Sequence, residues 1–365
     1  MDMPTLPDIL FHLQRQLFPA LEEELGSLST LDEQFCQVVS LLNLGPLMRR
    51  FAWVGNGCPP RQRTWLFHAY LAKSVYQFPT TAALIAALKA QPRLRRLCGW
   101  DSPGDIPSEP TFSRAFAAFA QEEWAQRIHQ QMVQTHAGAK LAGHIRRDAT
   151  AIEAPERPAP KPAPEPTPPK KRGRPKKGEH RPPPPPKRLE LQPTRSLAEN
   201  LAELPRRCDV GCKRNSKGHQ ESWIGYKLHL DSMDGDIPVS AVLTSASVHD
   251  SQVAIPLAQM TAQRVRSLYD VMDSAYDAPQ IWQFSEQLGH VPIIDRNRRG
   301  GPEVPMEPAQ AQRFKERSGS ERVNSLLKER YGGRWVRVRG AAKVMAHLMF
   351  GLIAMTAMAL FGRLC

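Results

Sequence analysis

Cysteine is scarce: six residues in 365, standing far apart at Cys36, Cys58, Cys98, Cys208, Cys212 and Cys365. That number and spread exclude a disulfide-stapled scaffold and favour a reducing compartment. Met1–Leu17 does not read as a secretion signal, because it carries acids, prolines and a lone Arg15 without a basic stretch leading into an apolar run. Long apolar runs are confined to Met345–Phe361, broken by His347, Gly351 and Thr356. This run only reaches the lower limit of a membrane span and is rich in Ala and Met, so it reads as a buried terminal helix, with a membrane span the lesser alternative.

Positive charge and proline are what the chain has in quantity. There are 49 Lys plus Arg against 36 Asp plus Glu, a formal net charge of +13, which points to a partner drawn by positive charge. Of the 34 prolines, 14 fall within 155–188, together with 11 Lys/Arg and 3 Glu. Such a stretch has almost no large apolar side chains to offset the entropy of ordering, so it is expected to be disordered or partly polyproline II. The rest of the chain has ample length for two modest cores.

Residues 1–140 read as helical, with apolar periodicity in Phe35–Phe51, Trp65–Tyr76 and Ala82–Leu88. Ser108 or Thr111 would cap a helix running through Ala115–Ala120. Arg93, Arg95 and Arg96 make a basic cluster nearby, compatible with a helix-turn-helix on DNA or, equally, with solvated charge beside a helical hairpin. After Gly143 the pattern changes. His144–Ile152 reads as a strand, Trp223–Asp231 and Ile237–Ser245 as a hairpin turning at Asp234-Gly235-Asp236, and Ser251–Ala262 as a helix. A strand at Leu268–Asp273, a helix near Ala278–Leu288, a strand at Val291–Asp295 and a charged helix over Phe314–Arg330 complete an α/β domain with a mixed sheet.

Three acids sit where such a sheet would gather them: Asp148 on the first strand, Asp273 at a strand end, and Glu321 on the charged helix. Clustered carboxylates repel unless divalent cations lie among them, and Mg²⁺ takes oxygen ligands. Two such ions about 4 Å apart suit in-line phosphoryl transfer. Any one of these acids alone would be an ordinary cap or surface ion pair. On the charged helix, however, Phe314, Arg317, Glu321 and Lys328 recur at intervals of three, four and seven, which places all four on one helical stripe.

These blocks resemble those of the DDE transposases of bacterial insertion sequences. The third-acid helix of that family carries Tyr, two residues, Arg, three residues, Glu, six residues, Lys. Here Phe314 stands for the tyrosine, while Arg317, Glu321 and Lys328 match. Asp148-Ala-Thr150 resembles the first Asp-x-Thr block and Asp273-Ser-Ala-Tyr-Asp277 the second, Asp-x-x-Tyr-Asp. The Ile106–Phe116 and Gly225–Asp250 segments are similar to those of related proteins. The resemblance implies a ribonuclease H-like catalytic fold in which Asp148, Asp273 and Glu321 bind two Mg²⁺ ions, with Mn²⁺ able to substitute. Those ions would activate water to nick the element end and then the freed 3′-hydroxyl to attack target DNA. Arg317 and Lys328 would hold the end's phosphates. Glu321 follows Asp273 by only 48 positions, which leaves no room for the large β-rich insertion of some members.

Further candidates surround this set. Asp277 reads as a helix N-cap, and His249 as a loop histidine bonded to a neighbouring carboxylate. Cys208 and Cys212 with His219 and His229 have irregular spacing for zinc, which is disfavoured. Arg334, Arg337, Arg339 and Lys343, with Trp335 among them, make a basic tract that touches DNA or forms a solvated face. Lys171–Lys177 resembles the AT-hook core, in which Arg172 and Arg174 would enter the minor groove of A/T-rich DNA; a merely cationic tether is the equal alternative.

The expected organisation is a helical recognition or assembly domain at 1–140, a catalytic domain at 141–154 and 205–365, and a disordered basic insert at 155–204. The expected partners are double-stranded DNA, both terminal inverted repeats and target, and at least a second copy of the chain, with no membrane and a location on the cytoplasmic nucleoid. A catalytically silent DNA-binding relative acting as a repressor is the alternative.

Overall fold

The computed structural model describes residues 26–45, 62–158, 185–214, 218–297 and 305–364, together with 23 and 160. The AT-hook-like motif, and with it Arg172 and Arg174, lies outside the described residues.

Helices α1 (Thr30–Ser40), α2 (Arg63–Val75), α3 (Thr81–Ala90), α4 (Pro92–Cys98), α5 (Glu109–Gln121) and α6 (Trp124–His136) occupy the N-terminal part. Their starts follow local chemistry. Ser29 and Asp32 form a reciprocal capping box on α1, and the Thr80 hydroxyl accepts the Ala83 N–H at 3.0 Å on α3. Of the basic cluster on α4, Arg95 is buried and donates to the Leu88, Lys89 and Asp101 carbonyls, while Arg93 pairs with Asp32 at 3.4 Å. Those two guanidinium groups hold the helical hairpin together, leaving Arg96 exposed.

The mixed sheet contains β1 (Leu141–Glu153), β2 (Asp209–Arg214), β3 (Gln220–Met233), β4 (Ile237–Ser245), β5 (Arg266–Met272) and β6 (Val291–Ile294). Its order is β2-β3-β1-β5-β6, with β4 also on β3. Strand β3 runs antiparallel to β1, β2 and β4, whereas β1, β5 and β6 are parallel. Parallel neighbours need crossovers, supplied by α9 (Ser251–Ala262) and α10 (Pro279–Gln287). Three helices follow the sheet: α11 (Pro308–Phe314), α12 (Ser318–Arg330) and α13 (Ala341–Leu364). This mixed sheet with flanking helices is the ribonuclease H-like arrangement expected from the sequence.

Helix α13 joins the two halves. It packs on α1, α2, α5, α6 and β4, and a single apolar cluster runs from the N-terminal helices through α13 to the sheet. Phe350 lies 4.7 Å from Phe67 and 5.6 Å from Tyr70 between ring centroids, and His129 Nε2 meets Thr356 Oγ1 at 3.0 Å in the interior. Two separate modest cores are therefore replaced by one large shared core and smaller clusters around α9 and α10. Among the described helices α13 alone is long and apolar enough to cross a membrane, over Ala341–Gly362, yet 83% of its apolar window is buried by the protein.

The expected disorder of 155–204 does not extend to its last part. Helices α7 (Arg188–Leu191) and α8 (Leu197–Glu203) cover it. Gln192 and Asn200 are fully buried; the Gln192 amide donates to the Gln252 carbonyl at 2.7 Å, and Asn200 donates to the Gln192 carbonyl and to Gln259. Those buried amides, together with Leu189, Leu201 and Leu204 packed on the apolar clusters of α9, order the segment.

Alternation along β1 sends Arg147 and Asp148 to opposite faces. Arg147 makes a bidentate pair with Asp231 of β3, at 2.8 and 2.7 Å, and reaches Met272 Sδ on β5 at 3.4 Å. Thr261 of α9 donates to the same Asp231 at 2.7 Å. Asp270 of β5 accepts from Ser285 of α10 at 2.6 Å and lies 3.1 Å from the His290 ring. Breaking a buried pair leaves an uncompensated charge, so Arg147→Met or Asp231→Leu alone should cost about 3–5 kcal/mol. The double substitution Arg147→Met/Asp231→Leu should recover much of that loss, as read by urea denaturation.

Candidate active site

The parallel register pairs Arg146 with Val271; continued by two residues it brings Asp148 level with Asp273, one position beyond β5. Both side chains are partly buried. Burial, with the nearby Asp273 carboxylate adding to it, pushes the Asp148 carboxyl up to about 6 from an ordinary 3.8. Burial likewise raises Asp273, against the lowering effect of the Ala275 N–H, which donates to Asp273 Oδ1 at 2.9 Å, and of Arg317. Two converging carboxyls are held here without full compensation.

Glu321 enters from α12. Arg317 donates to Glu321 Oε1 at 2.7 Å and lies 3.7 Å from Asp273 Oδ2, so one guanidinium links the second and third acids. Although burial lowers its pKa, the surrounding carboxylates outweigh that effect and hold Arg317 firmly protonated. The expected single stripe is interrupted: Phe314 ends α11, and a 3₁₀ turn over Lys315–Arg317 precedes α12. The tighter turn still keeps residues 314 and 317 on adjacent turns, but Phe314 belongs to a different helix from Glu321 and Lys328.

Helix α12 docks by its first turn. A Cβ at Gly319 would overlap the Arg146 guanidinium, so only glycine lets α12 approach β1 this closely. Arg146 is itself fixed, donating to the Met233 carbonyl and pairing with Asp236 at 3.0 Å; Asp236 also accepts from Arg322 of α12 at 2.9 and 3.1 Å. One turn after Glu321, Asn324 donates to Asp148 Oδ2 at 2.9 Å. The sequence reading missed Asn324, Arg146 and Gly319. A signal was there for the first, since Asn324 follows Glu321 by three positions and shares its helix face.

Asp250 is a fourth nearby carboxylate. It accepts from Lys227 Nζ at 2.9 Å and contributes to the raised pKa of both Asp148 and Asp273. His249 departs from expectation: it is exposed and bonded to Ser251 Oγ at 2.8 Å rather than to a carboxylate. It is His229 that faces Asp250, at 3.9 Å, with its pKa lowered by burial to about 4 and therefore neutral. Asp277 is no helix cap, because Ala278 holds that position; its carboxylate accepts from Trp282 Nε1 at 3.1 Å and from the Asn297 N–H at 3.0 Å. The Tyr276 hydroxyl is buried without a hydrogen-bond partner, and burial together with Asp250, Asp148 and Asp273 raises its pKa.

Lys328 is half-buried on α12, and burial, with Lys213 adding repulsion, lowers its pKa. Arg334, Trp335, Arg337 and Arg339 are exposed on the segment after α12. Cys212 accepts from Gln220 at 2.7 Å and His229 meets Thr244 at 2.9 Å; among the described residues no three His, Cys, Asp or Glu side chains stand grouped as a ready metal site. At the acids, Glu321 is engaged by Arg317. The donor chemistry nevertheless suits a hard divalent cation: two carboxyls whose pKa is raised first by burial and then by neighbouring carboxylates, beside the buried Asn324 Oδ1, which has no hydrogen-bond partner.

Comparison with protein families gives two matches. Residues 148–357 match the model described as transposase DDE domain, and residues 23–118 match the transposase domain described as DUF772. No curated protein and no solved structure was found to match. The first match spans more than half of the chain and begins on Asp148, and the two together support a transposase activity.

Two outcomes follow from this geometry. Gly319→Ala must push α12 against an Arg146 that is pinned on both sides, so it should lower stability by about 1–3 kcal/mol in a denaturant titration. For Asp148, the folded-state pKa near 6 exceeds the ordinary 3.8, so the carboxyl subtracts stability as pH rises through that window and the loss is complete above 6. Asp148→Asn should therefore melt higher than the unsubstituted protein at pH 8 without divalent ions, by an amount equivalent to about 1–3 kcal/mol, and the gap should close by about pH 4.

Proposed function

The chain belongs to the transposase DDE domain family, and on that footing we propose that it is an insertion-sequence transposase that binds its element's ends and performs metal-dependent strand cleavage and 3′-hydroxyl strand transfer. The observation that carries this reading is the convergence of Asp148 with Asp273, and the tie from Asp273 to Glu321 through Arg317. On this reading Asp148 of β1 and Asp273 at the end of β5 form the nucleus of the site, and Glu321 of α12 is linked to Asp273 through Arg317.

Asp148, Asp273 and Glu321 would hold divalent cations, Mg²⁺ or Mn²⁺. When bound, such ions act as Lewis acids that raise the nucleophilicity of water or a hydroxyl and stabilise the departing oxygen. The remaining work belongs to the protein's own groups. The Asn324 amide fixes one oxygen of Asp148, and the Ala275 N–H fixes one of Asp273, so each carboxylate presents its other oxygen in a set direction. Arg317, between Asp273 and Glu321, and Lys328, seven residues beyond Glu321, would grip the DNA phosphates. Phe314, without the family's hydroxyl, offers a ring for packing against the strand. Arg334 and Arg337 extend the DNA contact, and Arg172 and Arg174 would add to it from the insert. Joining two ends calls for at least a dimer, and the substrate places the protein on the nucleoid in the cytoplasm.

The test is a gel assay on duplex DNA bearing the element's inverted ends. Strand cleavage should require Mg²⁺ or Mn²⁺ and fall to background in Asp273→Ala and Glu321→Ala while both variants still shift the DNA. Full cleavage in either variant would remove that acid from the assignment. A protein that shifts the ends but never cuts them would instead be a repressor.

A further inference from the structure

Two hollows meet around Trp335 and Arg337. The larger, of about 900 Å³, lies between the end of β1, β2, β3 and residues 334–339, with Glu153, Trp223, Arg334 and Arg339 on its walls. The smaller, of about 280 Å³, lies between α2 and α12, with Lys73, Lys328, Glu329 and His347 on its walls. Trp335 and Arg337 line both, so the two form one surface. Its cations are Lys73, Lys328, Arg334, Arg337 and Arg339; its acids are only Glu153 and Glu329.

The surface is built rather than loose. Residues 335–339 follow α12 outside any helix or strand, with Val336 buried and Val338 half-buried while Trp335, Arg337 and Arg339 are exposed, so alternate side chains anchor and project. Backbone bonds fix both ends: the Gly333 N–H donates to the Leu327 carbonyl at 2.9 Å, and the Gly340 N–H to Glu156 Oε1 at 2.7 Å. Glu156 is held in turn by the Tyr226 hydroxyl at 3.0 Å. The cations repel one another across the join. After burial, which is the larger cause, Arg337 adds to the lowering of Lys73 to about 8, and Lys213 and Arg334 add to the lowering of Lys328. Positive groups packed this closely, with few acids between them, are suited to a polyanion that passes over all of them.

The track also has a direction. Asn324, one turn before Lys328, donates to Asp148, and the Asp148 carboxylate acts electrostatically on Lys328, so the Lys328 end of the surface is the one linked to the acids. It continues over Lys328, Trp335 and Arg337 to Lys73, which stands on α2 in the N-terminal helical part. We propose that these two hollows are one continuous seat for the sugar-phosphate backbone of duplex DNA, which leaves the acids along α12 and residues 334–339 and is gripped at its far end by Lys73. This seat rests on the transposase reading for its substrate and extends the DNA contact onto a helix that no sequence motif marked. Trp335, 62% exposed between the hollows, is its built-in optical probe.

The experiment uses the full chain without divalent ions and a fluorescent duplex of mixed sequence, about 30 base pairs long, titrated by anisotropy at several salt concentrations between about 50 and 300 mM. Lys73→Gln and Arg337→Gln should each weaken binding and reduce the slope of log K against log salt by about one, the signature of one lost phosphate contact. Lys89→Gln, whose site on α3 lines neither hollow, should keep the original slope, and the emission of Trp335, assigned by difference from Trp335→Phe, should be quenched by DNA. Circular dichroism melts identify any variant that fails to fold; if Lys73→Gln does, Arg337→Gln and the Trp335 signal decide. Unchanged slopes in the folded variants, or an equal loss in Lys89→Gln, would overturn the seat. Cleavage is scored separately. Unchanged slopes with metal-dependent cutting intact remove the seat alone, whereas reduced slopes with no cutting under either metal support the seat and remove the transposition chemistry.

Discussion

The buried pair between Arg147 and Asp231 is the constraint on which the site depends. It lies on the opposite face of β1 from Asp148 and one residue away, and its partners reach β3, β5 and α9. A slip of one residue between β1 and either neighbour would bury Arg147 without its partner and carry Asp148 to the wrong face. Hydrophobic strands tolerate small register errors more cheaply than a bidentate ion pair does. Alignment of Asp148 with Asp273 is thus enforced from beneath by a network on the other face of β1.

Two more interactions bring in the third acid. Helix α12 comes close to β1 because Gly319 has no side chain to collide with Arg146, and Asp236 clasps both Arg146 and Arg322. The hairpin turn between β3 and β4 therefore does more than reverse the chain. Arg317 then occupies the ground between Asp273 and Glu321. A guanidinium there balances carboxylates that burial and mutual repulsion otherwise penalise, and the same group is well shaped for a phosphate oxygen. The balance is incomplete, which is why Asp148 stays raised.

The helical part and the sheet are energetically one body around α13. Its apolar length serves packing on several sides at once, which explains a composition that would also satisfy a lipid bilayer. One consequence is functional: α2 is fixed relative to α12, so Lys73 and Lys328 share a surface although 255 positions separate them in the chain.

Much of this was legible from the amino-acid order, and the residues show why. The strand at His144–Ile152, the hairpin turning at Asp234–Asp236, the helix at Ser251–Ala262 and the spacing from Arg317 through Glu321 to Lys328 are local patterns, set by side-chain periodicity and turn chemistry within a few residues. What tertiary structure alone decided involves partners distant in sequence. Arg95 looked like a free cation and is a buried tie between helices; His249 looked bonded to a carboxylate, and His229 faces it instead; Asp277 looked like a cap and holds a later loop. Asn324 gained its role only when α12 came to rest against β1. Sequence determined which groups carry charge and on which element each stands, because those follow from residue type and local period. The fold decided which of them meet, because burial and long-range pairing have no period to read.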